Sequence, residues 1–309
     1  MQLSFTTLDV FTKIRYIGNP LAVVRVPASL RNQLTEEQKQ RITREFNLSE
    51  ATFLHEPSQG QNTVEFDIFT PLSRISFAGH PTVGTAVYVA QHAATYPGIT
   101  QLRTVAGTIP FAYEPESGRS TVSVPHDFYT HCKRLAHPFP NASTNNTGSS
   151  TVPLVSIVKG MAFNLIQLAD LDALALPTHG LLPASEVYKF EHLDAGSGWD
   201  IGYTGSYFYV DLGDDTQDHG LRLLRTRSMS TREDPGTGSA STALCCYIAV
   251  TESKEGIFGE RKFHLTQGVE MGRRCDIFVT VRVSENGKIE DVKLGGTAVE
   301  IMEGVLTVE

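Results

Sequence analysis

The chain has 309 residues, 40% of them hydrophobic and 19% charged, a composition that supports a buried core and excludes a disordered or collagen-like polypeptide. With 26 Lys plus Arg against 34 Asp plus Glu, its net charge of −8 offers no general attraction to nucleic acid or to an anionic membrane surface. No apolar run is long enough to span a bilayer and the N-terminus lacks the apolar core of a signal peptide, so the expected location is the cytoplasm.

The length alone is a prior for about two domains. In chain order, "QLSFTTLDVF" and "NPLAVVRV" read as strands of β-branched and aromatic residues, separated by the turn signal "IGNP". "TEEQKQRITREFNLSE" predicts a helix from about Glu36 to Phe46, with Thr35 as N-cap, acidic residues in the first turn, and Leu34, Ile42 and Phe46 near one face. "ATFLHEP" and "TVEFDIFTP" read as strands, "HPTVGTAVYVAQHAA" as a helix, and "LRTVAGTIPFAYEPESGRSTVSV" as further short strands. The tract "HPFPNASTNNTGSSTVP", His137 to Pro153, is rich in Asn, Ser, Thr and Pro and predicts a linker or surface loop, with the sequons at Asn141 and Asn145 part of it.

Beyond that tract, "LVSIVKG", "NLIQLA", "SYFYVDL" and "LRLLRTRSM" read as strands, "EDPGTGSASTALC" opens a helix, and a β-rich ending runs through "KFHLTQGVEMG", "CDIFVTVRV", "IEDVKLGG" and "AVEIMEGVLTV". The pattern is α+β: many strands, few helices, and in each half one apolar helix rich in small residues. Cys132, Cys245, Cys246 and Cys275 make no C-x-x-C pair, and the adjacent two lie in an apolar stretch, which predicts buried reduced thiols.

The two apolar helices carry an internal repeat. His80-Pro81-Thr82-Val83-Gly84-Thr85-Ala86 and Asp234-Pro235-Gly236-Thr237-Gly238-Ser239-Ala240 both fit [HD]-P-x-x-G-[ST]-A, and the prolines stand 235 − 81 = 154 residues apart, half the chain. A repeat at half length predicts duplicated lobes rather than a solenoid. Proline is favoured at the first helical position, so Pro81 and Pro235 predict helix starts, with Asp234 as N-cap of the second. Glycine in a helix costs roughly 1 kcal/mol against alanine, and close approach of a ligand or of another helix would justify it. Bare amides at a helix N-terminus bind anions. Either copy alone reads as a structural helix; the pair at matched spacing points to a small anionic pocket with His80 and Asp234 at its mouth. Upstream, "NLSEATFL" sets Glu50 at the entrance to an apolar strand, where a carboxylate must be paired, desolvated or working as an acid/base.

"GNPLAVV", "NLSEATFL", "FTPLSRISFAGHPTVGTA", "EDPGTGSA" and "GVEMGR", in this order, resemble the PhzF family of isomerases, which shares the fold of diaminopimelate epimerase. The resemblance covers nearly the whole chain. It implies two pseudo-symmetric lobes, each a β-barrel wrapped around a central helix, with the site in the cleft between them. Residues 1–125 would form the first lobe, joined by the last strand at about 298–309, and residues 126–297 the second, with the polar loop at 137–153. It further implies a homodimer, a small carboxylate-bearing substrate, and no metal or organic cofactor. Carried over by residue, Glu50 would move a proton from one carbon to another, His80 and Asp234 would position substrate and assist proton movement, and Ser239 would bond near the reacting group. Gly79, Gly84, Thr85 and Gly238 would line the substrate's binding site. Related epimerases carry cysteines where this chain has His80 and Asp234, which speaks against a two-base racemase. "RSMSTR" and "MGRR" depart from the family pattern, bringing Arg225, Arg227 and Arg274 near the presumed pocket.

"GTGSAS" lacks the third glycine and distal acidic residue of a dinucleotide fingerprint, no Walker loop is present, and the histidines show no metal-ligand spacing. The expected function is a cofactor-independent isomerase; the alternatives are a racemase or epimerase of an amino-acid-like substrate and a non-catalytic small-molecule-binding relative.

Overall fold

A computed structural model describes residues 1–58, 60–139, 145, 147–177, 190–202, 205–230 and 232–309. The architecture is mixed α+β, dominated by strands, and the chain divides into two compact units: Met1–Val124 with Leu294–Glu309, and Pro125–Lys293. Among the described residues no helix is long and apolar enough to cross a membrane.

In the first unit, Gln2–Val10 pairs antiparallel with Asn19–Val26 and with Ala298–Thr307, so the last strand of the chain lies against its first. Asn19–Val26 runs parallel to Ala51–His55, which pairs antiparallel with Thr63–Phe69. The latter runs parallel to Gln101–Thr104, and two antiparallel steps lead on to Gly107–Glu114 and Arg119–Ser123.

A parallel connection needs a crossover, and the Glu36–Phe46 helix supplies it between Asn19–Val26 and Ala51–His55. It starts where the sequence predicts because Thr35 and Gln38 form a reciprocal capping box, and it ends at Asn47 in the left-handed region, φ 51°. Its Lys39 is only 5% exposed. Burial of that cation is sustained by Asp67, whose Oδ2 lies 2.6 Å from Lys39 Nζ and 2.9 Å from His55 Nε2, while the Arg74 guanidinium takes Oδ1. Burial alone would raise the Asp67 carboxyl; the hydrogen bonds and charges of His55 and Lys39 outweigh it and hold the group well below the usual carboxylate range.

The Gly79–Gln91 helix is buried from Gly79 to Val89 and packs against strands on several sides, among them Gln2–Val10, Ala51–His55 and Arg119–Ser123. An apolar surface all round is what such an enclosed helix requires. A Cβ at Gly84 would stand 2.6 Å from Leu21 Cδ2 and 2.7 Å from Val10 Cγ2, so its bare backbone is what lets the helix approach those strands.

The same order of pairings occurs in the second unit. Leu154–Val158 pairs antiparallel with Met161–Gln167, which runs parallel to Gly205–Asp214. That strand pairs antiparallel with Leu221–Met229, which runs parallel to Gly259–Gln267, itself antiparallel to Cys275–Val283. The Gly238–Ser253 helix makes the crossover after Leu221–Met229 and packs on Leu154–Val158 and Cys275–Val283. Cys245 and Cys246 lie on it, free and fully buried; burial pushes both thiols up, which makes them inert packing residues.

The unit boundary at Val124–Pro125 precedes the polar 137–153 tract, so that tract lies within the second unit rather than linking the two. Its residues 140–144 and 146 lie outside the described residues. Its ends are ordered: Thr151–Val152 pairs with Leu135–Ala136, and His137 and Val152 are buried.

Candidate functional site

In the first unit the chain leaves the Glu36–Phe46 helix through the left-handed Asn47 and reaches Glu50 immediately before the Ala51–His55 strand. The Glu50 side chain is 18% exposed, and its Oε2 lies 3.3 Å from Nδ1 of His80, which is 4% exposed. His80 is the second residue of the Gly79–Gln91 helix, and the Ala78 N-cap places no side-chain bond into the first turn. A carboxylate and an imidazole thus meet at the positive end of a buried helix, screened from bulk water. Such a pair can pass a proton and hold the charge that results.

One expectation needs correction here. Pro81 is the third helical residue, not the first, a position still among the first four N–H groups that have no partner inside the helix. Gly79, the first helical residue, is buried beside His80. Gly84 brings its bare backbone against Val10 and Leu21. Thr85 is fully buried; its hydroxyl donates to Thr52 Oγ1 at 3.3 Å, and Thr52 in turn to the Ala22 carbonyl at 3.4 Å. A buried hydroxyl takes the nearest acceptor, and for Thr85 that acceptor is on a strand.

In the second unit Asp234 belongs to the short Glu233–Asp234 strand, which pairs with Ser228 and Met229. It is not the helix N-cap. The helix begins at Gly238 with Thr237 as N-cap, and the Asp234 carboxylate accepts from the Thr237 hydroxyl. The Gln267 amide takes Thr237 N–H on its Oε1 at 3.2 Å and gives Nε2–H to the Asp234 carbonyl at 2.7 Å, which holds the turn between the strand and the helix. Gly238 and Ser239 are the first two helical residues, buried, with Ser239 8% exposed.

The three arginines that depart from the family pattern are held by carboxylates of the same unit. Arg225 pairs with Glu270 at 2.8 Å, Arg274 with Asp276 at 2.9 Å, and Arg227 bonds Glu233 bidentate at 2.7 and 2.9 Å. Arg227 also donates to the Leu174 and Leu176 carbonyls at 2.7 and 2.6 Å, which makes it a buried strap between Glu233 and that segment. A cavity of 570 Å³ in this unit, bounded by Arg134, Gln167, Tyr209 and Tyr247, touches none of the candidate residues.

Gln267, Tyr207 and Thr52 escape sequence reasoning. "LTQG" shows a glutamine before a glycine, but nothing local says that its amide reaches back to Asp234.

The sequence also matches a family model described as phenazine biosynthesis-like protein over residues 8–175 and 223–304, most of the chain and both halves of the repeat. The chain belongs to the phenazine biosynthesis-like protein family. A trans-2,3-dihydro-3-hydroxyanthranilate isomerase of Pseudomonas fluorescens is 29% identical to it over 92% of this chain and 96% of its own length. Among solved structures, a PhzF-family phenazine biosynthesis protein of Bacillus anthracis superposes with a TM-score of 0.72 at 21% identity, covering 99% of both chains. A hydroxyproline epimerase of Agrobacterium vitis follows with a TM-score of 0.59 at 13% identity, over 99% of this chain and 92% of its own. At these identities the two structures speak for the fold alone. Within this phenazine biosynthesis-like fold, Glu50 and His80 meet in the first unit, while Asp234 and Ser239 stand near the start of the corresponding helix in the second.

Proposed function

We propose that this chain is an isomerase that relocates a proton on a small carboxylate-bearing metabolite by acid/base chemistry through Glu50, with no cofactor. The observation that carries the reading is the contact between Glu50 Oε2 and His80 Nδ1 at 3.3 Å, with the imidazole buried and the carboxylate half-buried at a helix N-terminus. Relatives named as isomerases lend it support.

In this mechanism the Glu50 carboxylate takes a proton from a substrate carbon and returns it to another carbon. His80 orients the Glu50 carboxyl through the bond to its Oε2. Asp234 and Ser239, assigned by the resemblance, hold the substrate and assist proton movement. The amides of Gly79 and Gly238 suit a substrate carboxylate, since each opens a buried helix whose N-cap side chain makes no bond to the first turn. The reading includes two pseudo-symmetric lobes, each a barrel about its central helix, a homodimeric assembly, and a cytoplasmic setting.

The test uses trans-2,3-dihydro-3-hydroxyanthranilate as first substrate in deuterated water. Deuterium is expected at the reprotonated carbon, and Glu50→Gln is expected to abolish it while the circular dichroism spectrum persists. Incorporation undiminished in Glu50→Gln would remove Glu50 from the mechanism. Loss of optical rotation without a change in constitution would favour a racemase instead.

A further inference from the structure

We propose that Gln267 is a positioning residue for Asp234, acting through the Thr237 hydroxyl to keep the Asp234 carboxylate an acceptor. Asp234 matters here because of the function proposed above, but the hydrogen-bond argument stands without it.

Gln267 is fully buried at the end of the Gly259–Gln267 strand, and all four of its amide contacts lie within bonding distance. Its orientation is unambiguous. Oε1 faces Thr237 N–H, which can only donate, at 3.2 Å, and Nε2 faces the Asp234 carbonyl, which can only accept, at 2.7 Å. The second Nε2 proton therefore goes to Thr237 Oγ1 at 3.1 Å, and the second Oε1 position takes the Tyr207 hydroxyl at 2.9 Å.

A direction follows for the next bond. Thr237 Oγ1 receives a proton from Gln267, so its own single proton is directed to the partner on its other side, Asp234 Oδ2. A group that receives a proton there is favoured as a carboxylate and disfavoured as an acid. The polarity thus runs one way, from Gln267 through Thr237 to Asp234.

Two further features hold the frame. Tyr207 is fully buried, burial pushes its phenol up so that it stays a donor, and its oxygen lies 3.0 Å from Thr226 Oγ1 and 2.8 Å from Ser241 Oγ. Gly268, at φ +74°, brings its backbone so close to Pro235 that a Cβ would lie 2.6 Å from the Pro235 carbonyl. The strand end and the Asp234–Thr237 turn are therefore fixed against each other. Other charged groups at this corner are Glu233, held by Arg227, Glu270, held by Arg225, and Arg273 on the loop after Gln267; the first helical turn carries no acidic residue. None of these is altered by the variants below.

The experiment follows the Asp234 carboxyl carbon by NMR in the full chain labelled with carbon-13 aspartate, the resonance being assigned by its loss in Asp234→Asn. Thr237→Val removes the donor and is expected to raise the Asp234 titration midpoint by about one pH unit, the worth of one hydrogen bond to a charged group. Gln267→Glu puts an acceptor where Nε2 was, draws the Thr237 proton away from Asp234 and adds a negative charge beside it, and is expected to raise the midpoint further. Thr237→Ser is expected to keep the parent midpoint. In the parent itself, a Thr237 hydroxyl proton slowed in exchange and in Overhauser contact with the Gln267 amide protons is expected. A parent-like midpoint in folded Thr237→Val, or absence of that contact, overturns the proposal whatever the enzyme assay shows. Full exchange activity in Glu50→Gln with the expected Asp234 shifts overturns only the proposed function.

Discussion

The two copies of [HD]-P-x-x-G-[ST]-A share a sequence pattern and a place in the strand order, yet they begin their helices differently. In the first, the helix starts at Gly79, ahead of the signature His80, whose partner Glu50 comes from thirty residues upstream at 3.3 Å. In the second, the helix starts at Gly238, four residues beyond the signature Asp234, whose partner is the hydroxyl of its own turn. In the second copy one buried amide, Gln267, bonds both the Thr237 N–H and the Asp234 carbonyl. The support around them differs too. In the first unit ions, Lys39, Asp67 and Arg74 with His55, tie the Glu36–Phe46 helix to the strands beside it; the Asp234 turn is held directly by neutral groups, Thr237 and Gln267, with Tyr207 behind them. A repeated pattern therefore transmits where small residues and prolines go, and leaves the chemistry of each turn to its surroundings.

That contrast is open to attack by experiment. The largest effect belongs to the carboxylate proposed to react: Glu50→Gln is expected to lower solvent-proton exchange about a thousandfold, read by mass spectrometry of the recovered substrate. A fall equally large in Thr237→Val would erase the distinction between the turns. Next, Asp67→Asn leaves Lys39 buried without its counter-charge and is expected to destabilise the chain by about 3 kcal/mol in urea unfolding.

The same group gives a pH signature. Folded Asp67 titrates below its ordinary value of 3.8, so its contribution is complete above that pH and declines as pH falls below it. Hydrogen exchange in the Glu36–Phe46 helix is expected to accelerate in that acid range, after correction for intrinsic rates, and Asp67→Asn is expected to lessen the response.

Gly84→Ala pushes a methyl group into Val10 and Leu21, with an expected cost of about 2 kcal/mol in the unfolding midpoint; an unchanged midpoint would show that packing is not what Gly84 serves. Smallest of all, Arg41→Ala removes an ion pair whose side chains are both 73% exposed and is expected to change stability by less than about 0.5 kcal/mol.

Much of the local structure could be read in advance. The Glu36–Phe46 helix was legible because Thr35, the acidic first turn and the apolar spacing are all contiguous. The strands were legible because β-branched and aromatic residues cluster between turn residues. Glu50 stood out because a carboxylate enters a strand buried at every position. Gly84 and Thr85 were harder, since a glycine and a hydroxyl suit packing as well as binding, and their neighbours Val10, Leu21 and Thr52 come from other parts of the chain. Asp234 was read as an N-cap because the rule that an aspartate before Pro caps a helix is local, while the strand it pairs with and the Gln267 amide that bonds its carbonyl come from elsewhere in the chain.

By itself, then, the sequence determined which segments become strands and helices, where the repeat lies, and which few polar residues sit among apolar ones, because those properties depend on neighbours along the chain and on burying apolar surface. Only the tertiary structure decided where the second helix begins, that Glu50 meets His80, and that Asp67 can keep a lysine buried. Hydrogen bonds and ion pairs act over a few ångströms, and which donor reaches which acceptor first is settled by strand pairing between residues distant in sequence.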